Sequence, residues 1–241
     1  MTFSITARCP RTGNLGVATS SKALAAGAMV PYLGAGVGAI ASQSFVNPYL
    51  GIDGIELLEQ GLPAERTLEK LIEDDRGRDV RQLGIVDKEG RIAAYTGDRC
   101  IPWAGSVDGA GYVCLGNILN GEDVVKAMAN AFEASEVEDL PERLLRALEA
   151  GQEAGGDRRG RQSAGIMVVA REEYPLVDLR VDDHEDPIPE LRRVFGVYTK
   201  EEVPYIEFMP TREDSTPEWN FVLKLRDDVE AELTEPATKE S

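Results

Sequence analysis

A chain of 241 residues and 26.2 kDa has room for one large domain or two small ones. Its 43 acidic and 26 basic residues give a formal net charge of −17, which argues against binding nucleic acid or docking on an anionic membrane, since both need clustered Lys and Arg. Apolar residues make up 42%, enough to build a core and too many for a disordered chain.

The basic side is uneven, with 7 Lys against 19 Arg. Many carboxylates with few lysines suit a high-salt cytoplasm that screens surface repulsion; an acidic mesophilic enzyme fits the same numbers. Cys9, Cys100 and Cys114 lie far apart and there is one histidine, so the pattern is neither a disulfide framework nor a zinc site. A reducing cytoplasm is the expected compartment, with no cofactor and no metal.

Phe3, Ile5, Ala7 and Cys9 alternate with Thr2, Ser4, Thr6 and Arg8, which predicts a half-buried strand. The turn Pro10-Arg11-Thr12-Gly13-Asn14 and a second strand from Leu15 to Ser20 complete a hairpin. No charge occurs from Ala23 to Ile52, but Pro31 and the glycines 27, 34, 36 and 38 argue for buried backbone over a signal peptide or membrane helix. Within it a loop from Ala25 to Pro31 and a strand from Gly36 to Phe45 are expected, with Asn47-Pro48-Tyr49 ending the strand. Asp53 is placed to cap a helix from Ile55 to Gln60, and Pro63 to open another running to Asp75. Strands are predicted from Val80 to Val86, Arg91 to Thr96 and Gly111 to Leu115, the first two joined by Asp87-Lys88-Glu89-Gly90. Helices from Glu122 to Ser135 and from Pro141 to Glu153 carry apolar stripes at helical spacing. After a glycine-rich loop, strands near Ser163 to Ala170 and Leu176 to Val181 precede a helix from Pro189 to about Val197.

Strands in runs and helices in pairs predict an α+β fold: a four-layer αββα sandwich of two mainly antiparallel sheets between helical layers. Residues 1–197 form that domain, and 198–241 an acidic extension with one helix from Phe221 to Leu233 and disorder from Thr234 onward.

Thr2 is the first candidate for chemistry. Removal of an initiator methionine before a small residue leaves a hydroxyl and a free α-amine on one residue. An α-amine titrates near ~7.7–8.0, so it can act as general base to its own hydroxyl. The alternative is an ordinary strand threonine. The loop Gly155-Gly156-Asp157-Arg158-Arg159-Gly160-Arg161-Gln162-Ser163 sets three arginines and an aspartate among glycines, suited to a substrate carboxylate or phosphate. Its bland reading is a glycine turn with surface ion pairs. Gly116-Asn117 at a strand end could offer a backbone N–H and an amide to an oxyanion; an ordinary strand exit reads equally well. Gln43 and Asn47 are weaker candidates. Gly34-Ala35-Gly36-Val37-Gly38-Ala39 matches a dinucleotide fingerprint in spacing alone, since no long helix follows. Asp182 to Asp186, around His184, alternate faces and cannot converge on one ion.

Thr2-Phe3-Ser4-Ile5, the turn, and Gly16-Val17-Ala18-Thr19-Ser20-Ser21-Lys22 resemble the opening of the N-terminal nucleophile (Ntn) hydrolases. More closely, Thr2 to about Val194 resembles an uncharacterised Ntn-hydrolase-like family, a domain of unknown function. Its blocks are Asn14-Leu15-Gly16-Val17-Ala18, Ile101-Pro102-Trp103-Ala104-Gly105, Gly116-Asn117-Ile118-Leu119, the arginine loop and Val181-Asp182-Asp183-His184. The resemblance implies the αββα sandwich and puts Thr2 at the nucleophile position. Lys22, Asn117, Asp157 and Ser163 are carried as supporting catalytic candidates, and Ser20, Ser21, Gln43, Asn47, Gly116, Arg158 and Arg161 as substrate-binding ones. Proteasome-type members have an aspartate at the end of the second strand, where this chain has Ser20 and Ser21; their lysine at the third strand has no counterpart near Gly34 to Gly38. The expected function is amide hydrolysis of a small molecule through an acyl-enzyme, in a homodimer or higher homo-oligomer. A catalytically silent ligand-binding or scaffold protein of the same fold is the alternative, and a metal hydrolase on Asp182 to Asp186 a third.

Overall fold

In a computed structural model, which describes residues 2–206, 208–216 and 218–234, the opening hairpin is β1 (Thr2–Arg8) with β2 (Leu15–Ser21), paired so that Ser4 lies opposite Thr19. The alternation along β1 is as expected, but the polar face is not turned to solvent: Thr2, Ser4 and Thr6 are all buried. Ser4 reaches Gln43 of the other sheet, whereas Phe3 packs near Met128 and Gly151 of the helices behind. A strand between a helix layer and a second sheet is buried on both faces, and period-two sequence cannot distinguish that from a wet face.

Then come α1 (Ala26–Met29), β3 (Pro31–Gly34) and β4 (Gly38–Ser44). The expected loop therefore holds a short helix and an unforeseen strand. The fingerprint-like glycines form the β3–β4 hairpin, where Gly36 takes φ +65°. Next is α2 (Pro48–Glu59), which starts well before the predicted Asp53 cap. Asn47 is its N-cap, with Oδ1 accepting from the Tyr49 N–H at 3.2 Å, and Pro48 sits in the first turn. Gly51 and Gly54, which weaken the helical signal, are there because a Cβ would strike Tyr32 and Ile40 of the underlying sheet.

The chain continues through α3 (Ala64–Asp74), β5 (Arg81–Asp87), β6 (Ile92–Thr96), β7 (Gly105–Gly109) and β8 (Tyr112–Asn117). Strand β7 falls between the predicted strands Arg91 to Thr96 and Gly111 to Leu115, where none is expected, since Gly-Ser-Val-Asp-Gly carries almost no apolar pattern. Helices α4 (Asp123–Ala134) and α5 (Leu140–Glu153), strands β9 (Ser163–Val169) and β10 (Pro175–Val181), and α6 (Pro187–Glu201) follow.

The fold is α+β with two antiparallel sheets, one of six strands in the order β10-β9-β2-β1-β8-β7 and one of four in the order β3-β4-β5-β6. Helices α4 and α5 pack against the larger sheet, α2 and α3 against the smaller, and β4 and β5 meet β1 and β8. At Gly84 of β5 the sheets approach so closely that a Cβ would overlap Leu115 and press on Val113. One cluster, including Ile40, Leu58, Leu71, Leu83 and Ile85, joins the smaller sheet to its helices; another joins Leu15 and Val17 to Ala39 and Ala41 between the sheets.

Arg192 of α6 reaches α5 through Glu149, at 2.7 Å and 2.9 Å, and through Glu142 at 2.5 Å. On the opposite side of the balance, α6 buries only Pro187, Ile188 and Leu191.

Two compact units are delimited, Met1–Phe195 and Gly196–Ser241. In the second, α7 (Val203–Ile206) and α8 (Trp219–Thr234) are present, and Phe221 stacks on Phe208 at 4.0 Å. The disorder expected from Thr234 onward falls, for residues 235–241, outside the described residues. Among the described residues no helix is long and apolar enough to cross a membrane.

Candidate active site

Antiparallel pairing brings the start of β1, the ends of β2, β4 and β8, and the start of β9 to one end of the two sheets. Thr2 stands there, 6% exposed, directly opposite Asn117. Its Oγ1 donates to Ser21 Oγ at 3.3 Å, and its carbonyl accepts from Gln43 Nε2 at 3.4 Å.

Behind Thr2 lies a buried network of uncharged polar groups. Ser4 Oγ donates to Gln43 Oε1 at 2.7 Å. Gln43 Nε2 and Asn117 Nδ2 both donate to Gln82 Oε1, at 2.8 and 3.0 Å. Gln82 Nε2 in turn faces the Gly116 carbonyl at 2.8 Å and Thr96 Oγ1 at 2.9 Å. Three fully buried amides survive between sheets only because each is bonded. The network pins Asn117 beside Thr2 and, among the described residues, engages one of its two amide hydrogens. Gln82 and Ser4 were not singled out in the sequence. The available signal was Gln82 sharing a strand face with Gly84 and Val86, a polar residue where the core needs an apolar one.

In the glycine-rich loop, Asp157 and Ser163 are engaged in holding the backbone. The Asp157 carboxylate, itself buried, accepts from the Lys22 N–H at 2.8 Å, the Arg159 N–H at 2.8 Å and Arg159 Nη2 at 3.2 Å. It thereby ties the bend after β2 to the loop, while the Lys22 side chain itself is exposed. Ser163 Oγ donates to the Ala23 carbonyl at 2.6 Å and accepts from the Ala26 N–H at 3.0 Å, so it braces the same bend. Arg161 is paired with Asp186. Arg158 is exposed, with its backbone N–H on the Ile118 carbonyl at 3.2 Å.

Ser20 and Gly116 lie on the other face of the larger sheet from Thr2, with Phe3 between them in register, and Ser20 Oγ donates to the Ser163 carbonyl at 3.0 Å. Asn47 is spent on capping α2 and on Asp75. Burial raises the Asp75 carboxyl, but hydrogen bonds from Arg81, the Gly77 N–H and Asn47 outweigh it and leave it below its ordinary value. The structure thus brings Thr2, Ser21, Gln43 and Asn117 together, with Asp157 and Ser163 as supports one layer out.

Four surface cavities of about 260, 580, 580 and 320 Å³ occur beside α2, beside α3, in the second unit and around Arg143; Thr2 lines none of these four. Among the described residues no cluster of His, Cys, Asp or Glu could hold a metal ion, and Asp182, Asp183, His184 and Glu185 lie exposed in a bend.

The model of the family of unknown function DUF1028 matches residues 2–191. The chain belongs to the DUF1028 family. A crystal structure of protein SPO2555 from Silicibacter pomeroyi, described as a DUF1028 protein, is 33% identical, covers 90% of this chain and 98% of its own, and superimposes with a TM-score of 0.82. Two Anbu (ancestral beta-subunit) chains also align. The one from Yersinia bercovieri is 13% identical over 86% of this chain and 98% of its own, with a TM-score of 0.37. A mutant Anbu from Hyphomicrobium sp. strain MC1 is 10% identical over 85% and 97%, with a TM-score of 0.39. Likeness that distant carries no argument. No curated protein matches the chain. Every candidate site residue lies inside the DUF1028 match, whereas α7 and α8 lie beyond it.

Proposed function

We propose that this DUF1028 chain is a four-layer αββα hydrolase of the Ntn type, which cleaves an amide bond of a small molecule with Thr2 as nucleophile once the chain is processed to begin there. The supporting observation is the position of Thr2: a threonine fixed at a strand start, its Oγ1 on Ser21 and an ordered amide, Asn117, directly across from it. A nucleophile needs that immobility, since a misplacement of one ångström costs rate steeply.

In the proposed step Thr2 Oγ1 attacks the substrate carbonyl while its own α-amine takes the hydroxyl proton. The second Asn117 Nδ2 hydrogen stabilises the oxyanion. Collapse breaks the C–N bond, the amine leaves with the proton returned by the α-ammonium, and water, deprotonated by the same amine, hydrolyses the Thr2 ester. Asp157 and Ser163 act at a distance, by holding the Ser21–Ala26 bend that carries Thr2's hydrogen-bond partner. The assembly proposed is a homodimer or larger homo-oligomer.

Two measurements test this. Intact mass of protein from its native cells is expected to show a chain starting at Thr2, and an electrophilic β-lactone is expected to add one acyl group to it and none to Thr2→Ala. Retention of residues ahead of Thr2 throughout, or equal labelling of the variant, sinks the proposal. The second reading, a catalytically silent ligand-binding or scaffold member, is favoured by the low exposure of Thr2 and by the structural bonds that occupy Ser163 and Asp157. Turnover lost in Thr2→Ala decides against it.

A further inference from the structure

Most arginines of this chain are neutralised locally. Arg81 meets Asp75, Arg91 meets Asp87, Arg146 and Arg192 meet Glu142, and on the loop itself Arg159 meets Asp157 and Arg161 meets Asp186. With a net charge of −17, a cation has no shortage of carboxylates to pair with. Two exposed cations at the Thr2 end are not neutralised in this way, as Lys70, Arg76 and Lys88 elsewhere among the described residues are not. Among the described residues neither the Lys22 ammonium nor the Arg158 guanidinium makes an ion pair or hydrogen bond; only their backbone N–H groups are engaged, on Asp157 and on Ile118.

Their backbones are fixed relative to Thr2 from two sides. Lys22 follows Ser21, the β2 residue bonded to Thr2, which puts its Cα about 9 Å from that of Thr2 by strand spacing and one chain step. Arg158 hangs on Ile118, the residue after Asn117, so its Cα lies at most about 16 Å away by the same reckoning. A substrate of dipeptide size spans about 7 Å, and these two side chains are long enough to meet its far end. Asp157 holds both segments: it accepts from Lys22 N–H and immediately precedes Arg158.

We infer that Lys22 and Arg158 form an oxyanion-recognising subsite, so that the amide substrate carries a carboxylate or phosphate-type group on the side remote from the scissile carbonyl. This rests on the hydrolase reading above for the word substrate, though not for binding. It also divides the loop's arginines: Arg158 reads the ligand, while Arg159 and Arg161 serve the fold. A guanidinium fork and an ammonium on either side of one anionic group supply charge-assisted bonds that a neutral group cannot accept equally well.

The test uses full-length protein beginning at Thr2, with three probes: N-acetylalanine, its methyl ester, and the analogue bearing a phosphonate in place of the carboxylate. Hydrolysis is read as kcat/KM, and binding to Thr2→Ala protein by calorimetry at low and high salt. The acid and phosphonate are expected to surpass the ester by about tenfold or more in both readouts, with the advantage shrinking in high salt. In Lys22→Gln/Arg158→Gln that ratio should fall to within about twofold, while Arg66→Gln/Arg193→Gln, a loss of equal charge on α3 and α6, keeps it. The comparison of acid with phosphonate tells which oxyanion the subsite prefers. Equal handling of acid and ester by the unaltered protein, or a ratio intact in the double variant, overturns the inference. Turnover without charge preference refutes the subsite and spares the hydrolase. Charge-dependent binding without turnover of any probe supports the subsite and counts against the hydrolase. Absence of both refutes the two together.

Discussion

Replacing Gln82 by methionine keeps much of the side-chain length while deleting both ends of the amide. The Asn117 Nδ2 donor then loses its bond to Gln82 Oε1, and Gln43 Nε2 keeps only the 3.4 Å contact to the Thr2 carbonyl. The Gly116 carbonyl loses a 2.8 Å bond, and Thr96 Oγ1 one of 2.9 Å. A buried polar group left without its partner costs about 1–3 kcal/mol. Asn117 incurs that in full and the other groups in part, which makes about 3–5 kcal/mol in total, set against a global stability of about 5–15 kcal/mol. Urea unfolding followed through Trp103, in a Trp219→Phe background so that the second unit stays silent, measures it. Thr96→Val, which deletes a single half-buried acceptor, should cost about 1 kcal/mol on the same scale. If Gln82→Met loses less than about 1 kcal/mol, water or a rearranged Gln43 satisfies the stranded donors, and the network does not pin Asn117.

Gly84→Ala should destabilise by about 1–3 kcal/mol through overpacking against Leu115 and Val113, read by the same unfolding curve; a neutral result means the sheets can part at that point. Asn47→Ala should cost about 0.5–2 kcal/mol for the lost cap, with earlier hydrogen exchange in the first turn of α2. Asp75, whose native carboxyl is held below its ordinary 3.8, contributes stability that is complete above that value and disappears as pH falls through the lowered native one. In Asp75→Asn the part of the acid-side slope due to this group is expected to vanish, as seen in unfolding midpoints between pH 2 and 6 (about the range set by ordinary carboxylate values). Asp157→Asn should leave the sheets folded but release the Lys22 bend, with faster exchange at the amides from Lys22 to Ala26.

Most regular elements were legible in the sequence, because hydrophobic period and terminal punctuation agreed: β1, β2, β5, β6, α3, α4, α5, β9 and β10 all lie within a few residues of their expected limits. The failures share a cause. Short segments and segments interrupted by glycine carry little periodic signal, so β3, β7 and the first half of α2 were hidden, although Gly51 and Gly54 of α2 are there for close packing. The polar face of β1 was visible, but its burial was not, since burial there is decided by a sheet arriving from more than 35 positions away. In the candidate site, Thr2, Gln43 and Asn117 were recognisable as polar residues at strand ends. Gln82, which holds two of them, was not, because a glutamine in mid-strand looks the same whether its partners lie in water or in another sheet. Ser163 and Asn47 show the converse, as polar residues that local geometry consumes.

The family match ends inside helix α6, which is tied to α5 by Arg192 and two glutamates and also buries Pro187, Ile188 and Leu191. Ionic strength therefore pulls on this molecule in two directions. Added salt relieves the mutual repulsion of its surplus acids and favours compaction as a whole. The same ions compete for the guanidinium that links α6 to α5, so this tie should weaken while the molecule as a whole gains stability.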